Sequence, residues 1–92
     1  MTVRIRGLGP FRGIFGEQAQ SIILSSGDRL KDLIRAIQEK WSELLPSHLW
    51  DHEYWRARRP VVIMVEGTRV TDLNTPLKEN QEVLIMKVSA GG

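Results

Sequence analysis

The 92-residue sequence contains no cysteine. Disulfide bridges, thiolate metal sites and a cysteine nucleophile are therefore excluded. No apolar run approaches the roughly 18 residues of a membrane-spanning helix, and the first residues lack the apolar segment of a signal peptide. We therefore expect a single domain over residues 1–92 that is cytoplasmic and does not associate with a membrane.

A strong charge of one sign is also missing. The 13 lysines and arginines nearly balance the 11 acidic residues, and the formal net charge is +2. Nucleic-acid-binding domains carry clustered basic charge, so we expect no nucleic-acid partner. His48 and His52 have a spacing found in some metal sites, but no third ligand is evident beyond Asp51 or Glu53, so we expect no bound metal.

Aromatic residues make up only 7% of the chain, and most of them lie between residues 41 and 60. Trp50, Tyr54 and Trp55 precede arginines at positions 56, 58 and 59, a composition that can bind single-stranded nucleic acid by stacking. We instead expect these aromatic side chains to cap one end of a small core together with Trp41, because aromatic residues dominate core energetics. The arginines would then remain solvated, and a docking role for the exposed part is the alternative.

The periodicity of apolar residues predicts five strands. The glycine-rich residues 7–16 are expected to form the loop of a hairpin between the first two strands. Glu66-Gly67 predicts a tight turn between the third and fourth strands. The strands are predicted at residues 2–6, 18–24, 61–65, 68–70 and 82–88.

A helix is predicted between residues 30 and 45. Asp28 or Ser26 can accept the free N–H groups of its first turn, and Pro46 stops it. Its apolar face consists of Leu30, Leu33, Ile34, Ile37, Trp41, Leu44 and Leu45.

The order of elements is strand, strand, helix, strand, short strand, strand. It predicts an α+β fold of the β-grasp (ubiquitin-like) kind, in which one main helix packs on one face of a mixed sheet of four or five strands. The first and last strands are expected to be parallel neighbours. The predicted core between helix and sheet contains Val3, Ile5, Leu30, Leu33, Ile34, Ile37, Ile63, Val65, Val83 and Ile85.

Two of the predicted strands, residues 61–65 and 82–88, are apolar on both faces. The helix covers one face, so the other presents an apolar patch, and such patches usually mark an interaction site. Burial of that patch beneath residues 41–60 is the alternative. We predict a partner-binding face made of Val62, Met64, Leu84 and Met86, with Arg4 and Arg6 on its basic edge.

The sequence ends on Gly91-Gly92, directly after the last predicted strand. Two glycines add nothing to a core, but without Cβ atoms they can thread a channel too narrow for side chains. The free α-carboxylate of such a tail can be delivered to another protein's active site. If the protein handles sulfur, the absence of cysteine leaves this carboxylate as the carrier. We expect a flexible tail made of Ser89, Ala90, Gly91 and Gly92.

Residues 61–92 resemble the ThiS/MoaD family of ubiquitin-like sulfur carriers. The segment TDLNTPLKENQEVLIMKVSAGG is similar to the family's T-x-L-x-(D/E)-(G/N)-(D/Q)-E-V motif and its V-S-G-G ending. Met86-Lys87 stands where many relatives carry prolines, and Ala90 is inserted before the glycines. The loop between the helix and the third strand is long for the smaller thiazole-pathway members of the family. Its length is more similar to that of the small subunit of molybdopterin synthase. The motif positions are filled by Thr75, Leu77, Glu79, Asn80, Glu82 and Val83.

The resemblance implies a sulfur carrier that is not itself an enzyme and binds no cofactor of its own. An E1-like adenylyltransferase would bind the apolar face and use ATP to adenylate the Gly92 carboxylate. A sulfur donor would then displace AMP and leave a Gly92 thiocarboxylate, which donates sulfur in molybdopterin or thiamin-type cofactor biosynthesis. A large catalytic subunit of the molybdopterin-synthase type, or another sulfur-acceptor enzyme, would be the second partner.

Two other functions stay open. The protein could be a ubiquitin-like modifier that is conjugated through Gly92 to lysines of target proteins. It could also be a non-carrier β-grasp interaction domain whose final glycines are incidental.

Overall fold

A five-stranded mixed sheet forms the frame of the molecule. The computed structural model describes residues 1–54 and 56–88. Within these ranges, two short strands outside the five-stranded sheet form a separate hairpin. The elements in chain order are β1 (Thr2–Gly7), α1 (Pro10–Phe15), β2 (Gln20–Ile23), α2 (Leu30–Trp41), β3 (Trp50–Asp51), β4 (Arg56–Ala57), β5 (Val61–Val65), β6 (Thr68–Arg69) and β7 (Glu82–Lys87).

The strand order in the sheet is β2-β1-β7-β5-β6. β1 and β7 are parallel neighbours, with Arg4 opposite Glu82 and Gly7 opposite Ile85. β2 pairs with β1 and β5 pairs with β7, both in antiparallel orientation. The predicted sheet, with its first and last strands parallel at the centre, is therefore confirmed.

The core lies between this sheet and α2. All ten residues predicted for it are buried, because the side chains of a strand alternate between faces and those of a helix recur on one side. Eight further side chains belong to the core: Phe11, Phe15, Ile22, Leu24, Leu45, Leu49, Trp50 and Leu77. Two of them agree with other predictions, because Leu45 is on the predicted apolar face of the helix and Trp50 is among the aromatic residues expected to cap the core.

The connection between β1 and β2 differs from the prediction of a loop, because it contains the short helix α1. Phe11 and Phe15 of α1 are buried, and the Phe15 ring packs edge-on against Trp41 with 4.9 Å between the ring centroids. Gly7 permits this close packing, since a Cβ atom at that position would overlap the backbone of Phe11. α1 thus extends the layer that α2 forms on the sheet.

The first turn of α2 is stabilised from outside the helix. The predicted caps, Asp28 and Ser26, are wrong, because the residue that precedes the helix is Arg29. The N–H groups of Leu30 and Lys31 instead donate to backbone carbonyls within residues 73–75, each over 2.9 Å. The loop before β7 therefore accepts two N–H groups of the helix terminus, while those of Asp32 and Leu33 donate to the Arg29 carbonyl.

The C-terminal end of α2 also differs from the prediction. The helix ends at Trp41, and the next residues turn so that the N–H groups of Leu44 and Leu45 both donate to the Trp41 carbonyl, over 2.9 and 3.1 Å. Leu45 still enters the core, whereas Leu44 is 58% exposed. The apolar spacing continued past residue 41, but the helix did not.

The segment after α2 is anchored to the core by Trp50, which is fully buried. Its expected role in the core is confirmed, whereas Tyr54 is 65% exposed and was wrongly predicted to join it; Trp55 lies outside the described residues. His52 holds the segment to α2, because Nε2 donates to the Leu45 carbonyl and Nδ1 accepts from the Gln38 amide, over 2.7 and 2.9 Å. This histidine is structural.

Candidate docking face and C-terminal tail

The side chains predicted to bind a partner lie together on the sheet face opposite α2. The register places Met64 opposite Leu84 and Val62 opposite Met86. All four of these side chains are half-buried. We refer to them, with Arg4 and Arg6, as the docking face.

The basic edge of the docking face comes from β1. Arg6 is the register partner of Leu84, and Arg4 is that of Glu82. Both arginines are exposed. Because side chains alternate along a strand, the polar residues of β1 point away from the core that Val3 and Ile5 enter. The docking face is thus an apolar centre with guanidinium groups on one side.

Sequence reasoning did not identify one contributor to this face. Ile23 at the end of β2 is 84% exposed, and its register partner is Thr2. The signal was available, because Ile22 is buried and the adjacent residue of a strand must point the other way. Ile23 extends the apolar surface past the arginines to the edge strand.

A depression of about 330 Å³ lies within the docking face, lined in part by Arg4, Met64 and Leu84. Its acidic rim is positioned by the β5–β6 turn, where Glu66 and Gly67 have φ angles of 49° and 79°. Positive φ at both central residues is the requirement of a type I′ hairpin turn. The Glu66 carboxylate accepts the backbone N–H of Glu82 over 2.7 Å, so the turn is tied to β7 beside the depression.

The described part of the chain ends beside the docking face. Val88 follows β7, and its N–H donates to the Pro60 carbonyl over 3.0 Å. The predicted tail residues Ser89, Ala90, Gly91 and Gly92 lie outside the described residues. Because β7 supplies Leu84 and Met86, the strand that leads to the tail also forms the centre of the docking face.

The Asp51 carboxylate lies in the β3–β4 hairpin, which is separate from the five-stranded sheet. Its Oδ1 accepts the N–H groups of Tyr54 and Glu53, each over 3.0 Å. The hydrogen bond from Tyr54, followed by that from Glu53 and the positive charge of Arg58, lowers the pKa of Asp51 below its ordinary value against the opposing effect of desolvation. Asp51 therefore stays ionised and organises the turn.

Two kinds of feature are absent from the described ranges 1–54 and 56–88. Within them, no group of three or more His, Cys, Asp and Glu side chains could hold a metal ion. No helix there is long and apolar enough to cross a membrane. The expectation that no cofactor is bound stays a prediction.

Comparisons with known proteins bear on the family and the fold of the chain. The model of the ThiS family matches residues 8–92, which confirms the resemblance found in the sequence. A chain in the complex of subunits 1 and 2 of molybdopterin-converting factor from Helicobacter pylori 26695 is similar at 27% identity and a TM-score of 0.67, with 100% of both chains covered. A search of curated proteins finds no match.

Two further solved structures share the fold at low identity. SAMP1 from Haloferax volcanii has a TM-score of 0.81 at 11% identity, with 100% of both chains covered. Urm1 from Trypanosoma brucei has a TM-score of 0.75 at 14% identity, with 99% of this chain and 95% of that chain covered. These similarities show that the fold is the predicted ubiquitin-like β-grasp.

Proposed function

Because this chain belongs to the ThiS family of ubiquitin-fold sulfur carriers, we propose that it carries sulfur as a thiocarboxylate on Gly92. The observation that carries the proposal is the family match, which extends through residues 91 and 92. The docking face supports it, because an apolar surface on the strand that leads to the tail can hold the tail at a partner's active site.

The proposed chemistry takes place on partner enzymes. An oxygen of the Gly92 carboxylate attacks the α-phosphorus of ATP, and pyrophosphate leaves to give an acyl-adenylate. Hydrosulfide then attacks the carbonyl carbon, and AMP departs with the electron pair of the broken C–O bond. The product is a thiocarboxylate whose sulfur replaces one carboxylate oxygen. The carrier supplies the reacting group and the docking face, while the E1-like adenylyltransferase supplies the ATP site.

Delivery of the sulfur, which follows formation of the thiocarboxylate, requires an acceptor enzyme. The similar chain from Helicobacter pylori occurs in a complex of subunits 1 and 2 of molybdopterin-converting factor. By analogy, we propose that this chain binds a larger catalytic subunit through the docking face and delivers sulfur to a cofactor precursor of the molybdopterin or thiamin type. The same surface would then serve both partners in turn, so that loading and delivery exclude one another.

Intact-mass measurement tests the carrier function. The protein is incubated with its adenylating enzyme, ATP and sulfide, and we expect a mass gain equal to the replacement of one oxygen by sulfur. Deletion of Gly92 should abolish this gain, while Ser89→Ala, which keeps both glycines, should preserve it. High-mass conjugates to other proteins would instead show a modifier, and an unchanged mass would show an interaction domain.

A further inference from the structure

A groove of about 780 Å³ lies away from the centre of the docking face, where α2, the β3–β4 hairpin, β5 and the residues after β6 meet. Its lining includes the half-buried side chains of Val61, Val70 and Leu73. These side chains offer apolar contacts that the core does not use completely. We refer to this surface as the basic groove, because arginines form much of its rim.

The charge of the basic groove is one-sided. Four arginines line it, against the single carboxylate of Asp51, although the whole chain has a net charge of only +2. The Asp51 carboxylate is already engaged, since Oδ2 lies 3.9 Å from Nη2 of Arg58. Among the described residues, Arg56, Arg59 and Arg69 form no salt bridge within the protein. Three guanidinium groups are therefore available to an anionic partner.

The hairpin that supplies most of these arginines is held in place. Trp50 is fully buried and pairs with Ala57 across the hairpin. The N–H of Arg58 donates to the Leu49 carbonyl over 2.8 Å. Because the backbone is fixed before a partner arrives, less conformational entropy is lost when the arginines bind.

We propose that the basic groove binds an extended acidic segment of a partner protein, in which carboxylates are interleaved with apolar side chains. The carboxylates complement the arginines, and the apolar side chains contact Val61, Val70 and Leu73. A nucleic-acid strand fits the described aromatic residues of the hairpin less well, because Trp50 is buried and cannot stack on a base. The guanidinium of Arg56 lies 5.6 Å from the centre of the Tyr54 ring, on a face that a base would need.

The proposal does not depend on sulfur transfer. Arg56 and Arg59 line the basic groove and are absent from the docking face. Val62 borders both surfaces, so it is unsuitable as a test position. Variants at Arg56 and Arg59 therefore separate failure of the groove from failure of the carrier function.

The probe is a short fluorescent peptide in which glutamate alternates with valine or leucine, and binding to the full chain is followed by anisotropy. Exposed ion pairs contribute about two- to fivefold each to affinity, so R56Q/R59Q should weaken binding about tenfold. The matched control R12Q/K78Q removes the same charge from exposed positions outside the groove and should change affinity less than about twofold. A peptide with glutamine for glutamate should bind the wild type at least as weakly as the acidic peptide binds the double arginine variant, because it loses its charge pairing with all four arginines.

Backbone NMR shifts give the second measurement. We expect the acidic peptide to shift the amides of Val61, Val70 and Leu73 and to leave Leu84 unchanged. Absence of saturable binding, equal weakening by both double variants, or shifts centred on Leu84 would each overturn the proposal. Tighter binding of a single-stranded oligonucleotide than of the acidic peptide would assign the groove to nucleic acid instead.

Discussion

The two faces of the central strand β7 carry similar apolar side chains, yet one face belongs to the core and the other to the surface. On β7, Val83 and Ile85 are completely buried under the helical layer, while Leu84 and Met86 remain half-exposed. One step along the strand changes the environment of a side chain entirely. Along β7, apolar character therefore does not distinguish the two faces, and the position of α2 does.

The difference between the two faces of β7 allows stability and binding to be tested independently. Residues that stabilise the fold and residues available for contact alternate along one strand, so each can be changed separately. Substitutions under the helices should alter the free energy of unfolding, and substitutions on the docking face should alter binding.

Ile85→Ala should destabilise the protein by about 2–5 kcal/mol, because it removes buried methyl groups and leaves a cavity. The neighbouring change Leu84→Ala removes a side chain of the same size from the half-exposed face and should cost less than about 1 kcal/mol. Urea unfolding of the two variants measures the difference. Equal losses would show that the two faces of β7 are packed alike, and the comparison would fail.

The core could be predicted from the sequence because its signals are local and agree with one another. Val3 and Ile5 alternate with polar residues, so the inward face of β1 is unambiguous. β7 pairs with β1 in parallel register, which fixes Val83 and Ile85 on the same side even though β7 is apolar on both faces. The sequence alone did not fix this register, because a slip of one residue would exchange the two apolar faces of β7.

The missed elements depend on tertiary contacts. Helix α1 is six residues long, too short to show a periodic pattern, and its place is set by the burial of Phe11 and Phe15. The β3–β4 hairpin has strands of two residues, and the basic groove forms only when that hairpin is folded beside α2. No spacing in the sequence brings Arg56 close to Leu30 and Val70.

Gly7→Ala should cost about 1–3 kcal/mol, the usual cost of overpacking, because the new Cβ would overlap the backbone of Phe11. The matched change Gly13→Ala lies within α1 and has open space around it. It should stabilise the protein by about 0.5–1 kcal/mol, since alanine favours a helix over glycine. Thermal unfolding compares them, and a neutral Gly7→Ala would show that α1 is not packed as closely as described.

Asp51→Asn tests the β3–β4 hairpin through the pH dependence of the free energy of unfolding. The folded pKa of Asp51 is lowered, so the stability from its ionised form is complete above the ordinary value near 3.8 and is lost as pH falls through the lower folded pKa. The wild type should therefore exceed the variant in stability at neutral pH, and the difference should shrink below that ordinary value. Urea unfolding of both proteins across this range measures it, and a difference independent of pH would contradict the proposed cause.

Leu84→Asp should leave the fold largely intact and weaken binding to the adenylating enzyme. The new carboxylate would lie beside Arg6, its register partner, and would disrupt the apolar centre of the docking face. Calorimetric titration measures the binding, and Ser26→Asp in the exposed turn before α2 is the control of equal charge. Unfolding by Leu84→Asp would mean that this face is internal, and the docking proposal would be abandoned.

Changes at the tail should have the smallest effect on stability and the most complete effect on function. Residues 89–92 span at most about 13–14 Å when extended, enough to reach into a partner's site. Deletion of Gly92 should shift the melting temperature by no more than about a degree or two, as expected at a chain terminus. Gly91→Val should be equally mild for stability, but its side chain would meet the wall of a channel shaped for glycine.

Both variants should fail to form the thiocarboxylate while binding the adenylating enzyme through an unaltered docking face. Thiolation of the shortened chain at the wild-type rate would show that the reacting carboxylate does not need Gly92, and the carrier proposal would then be lost even though both faces of the sheet behaved as expected.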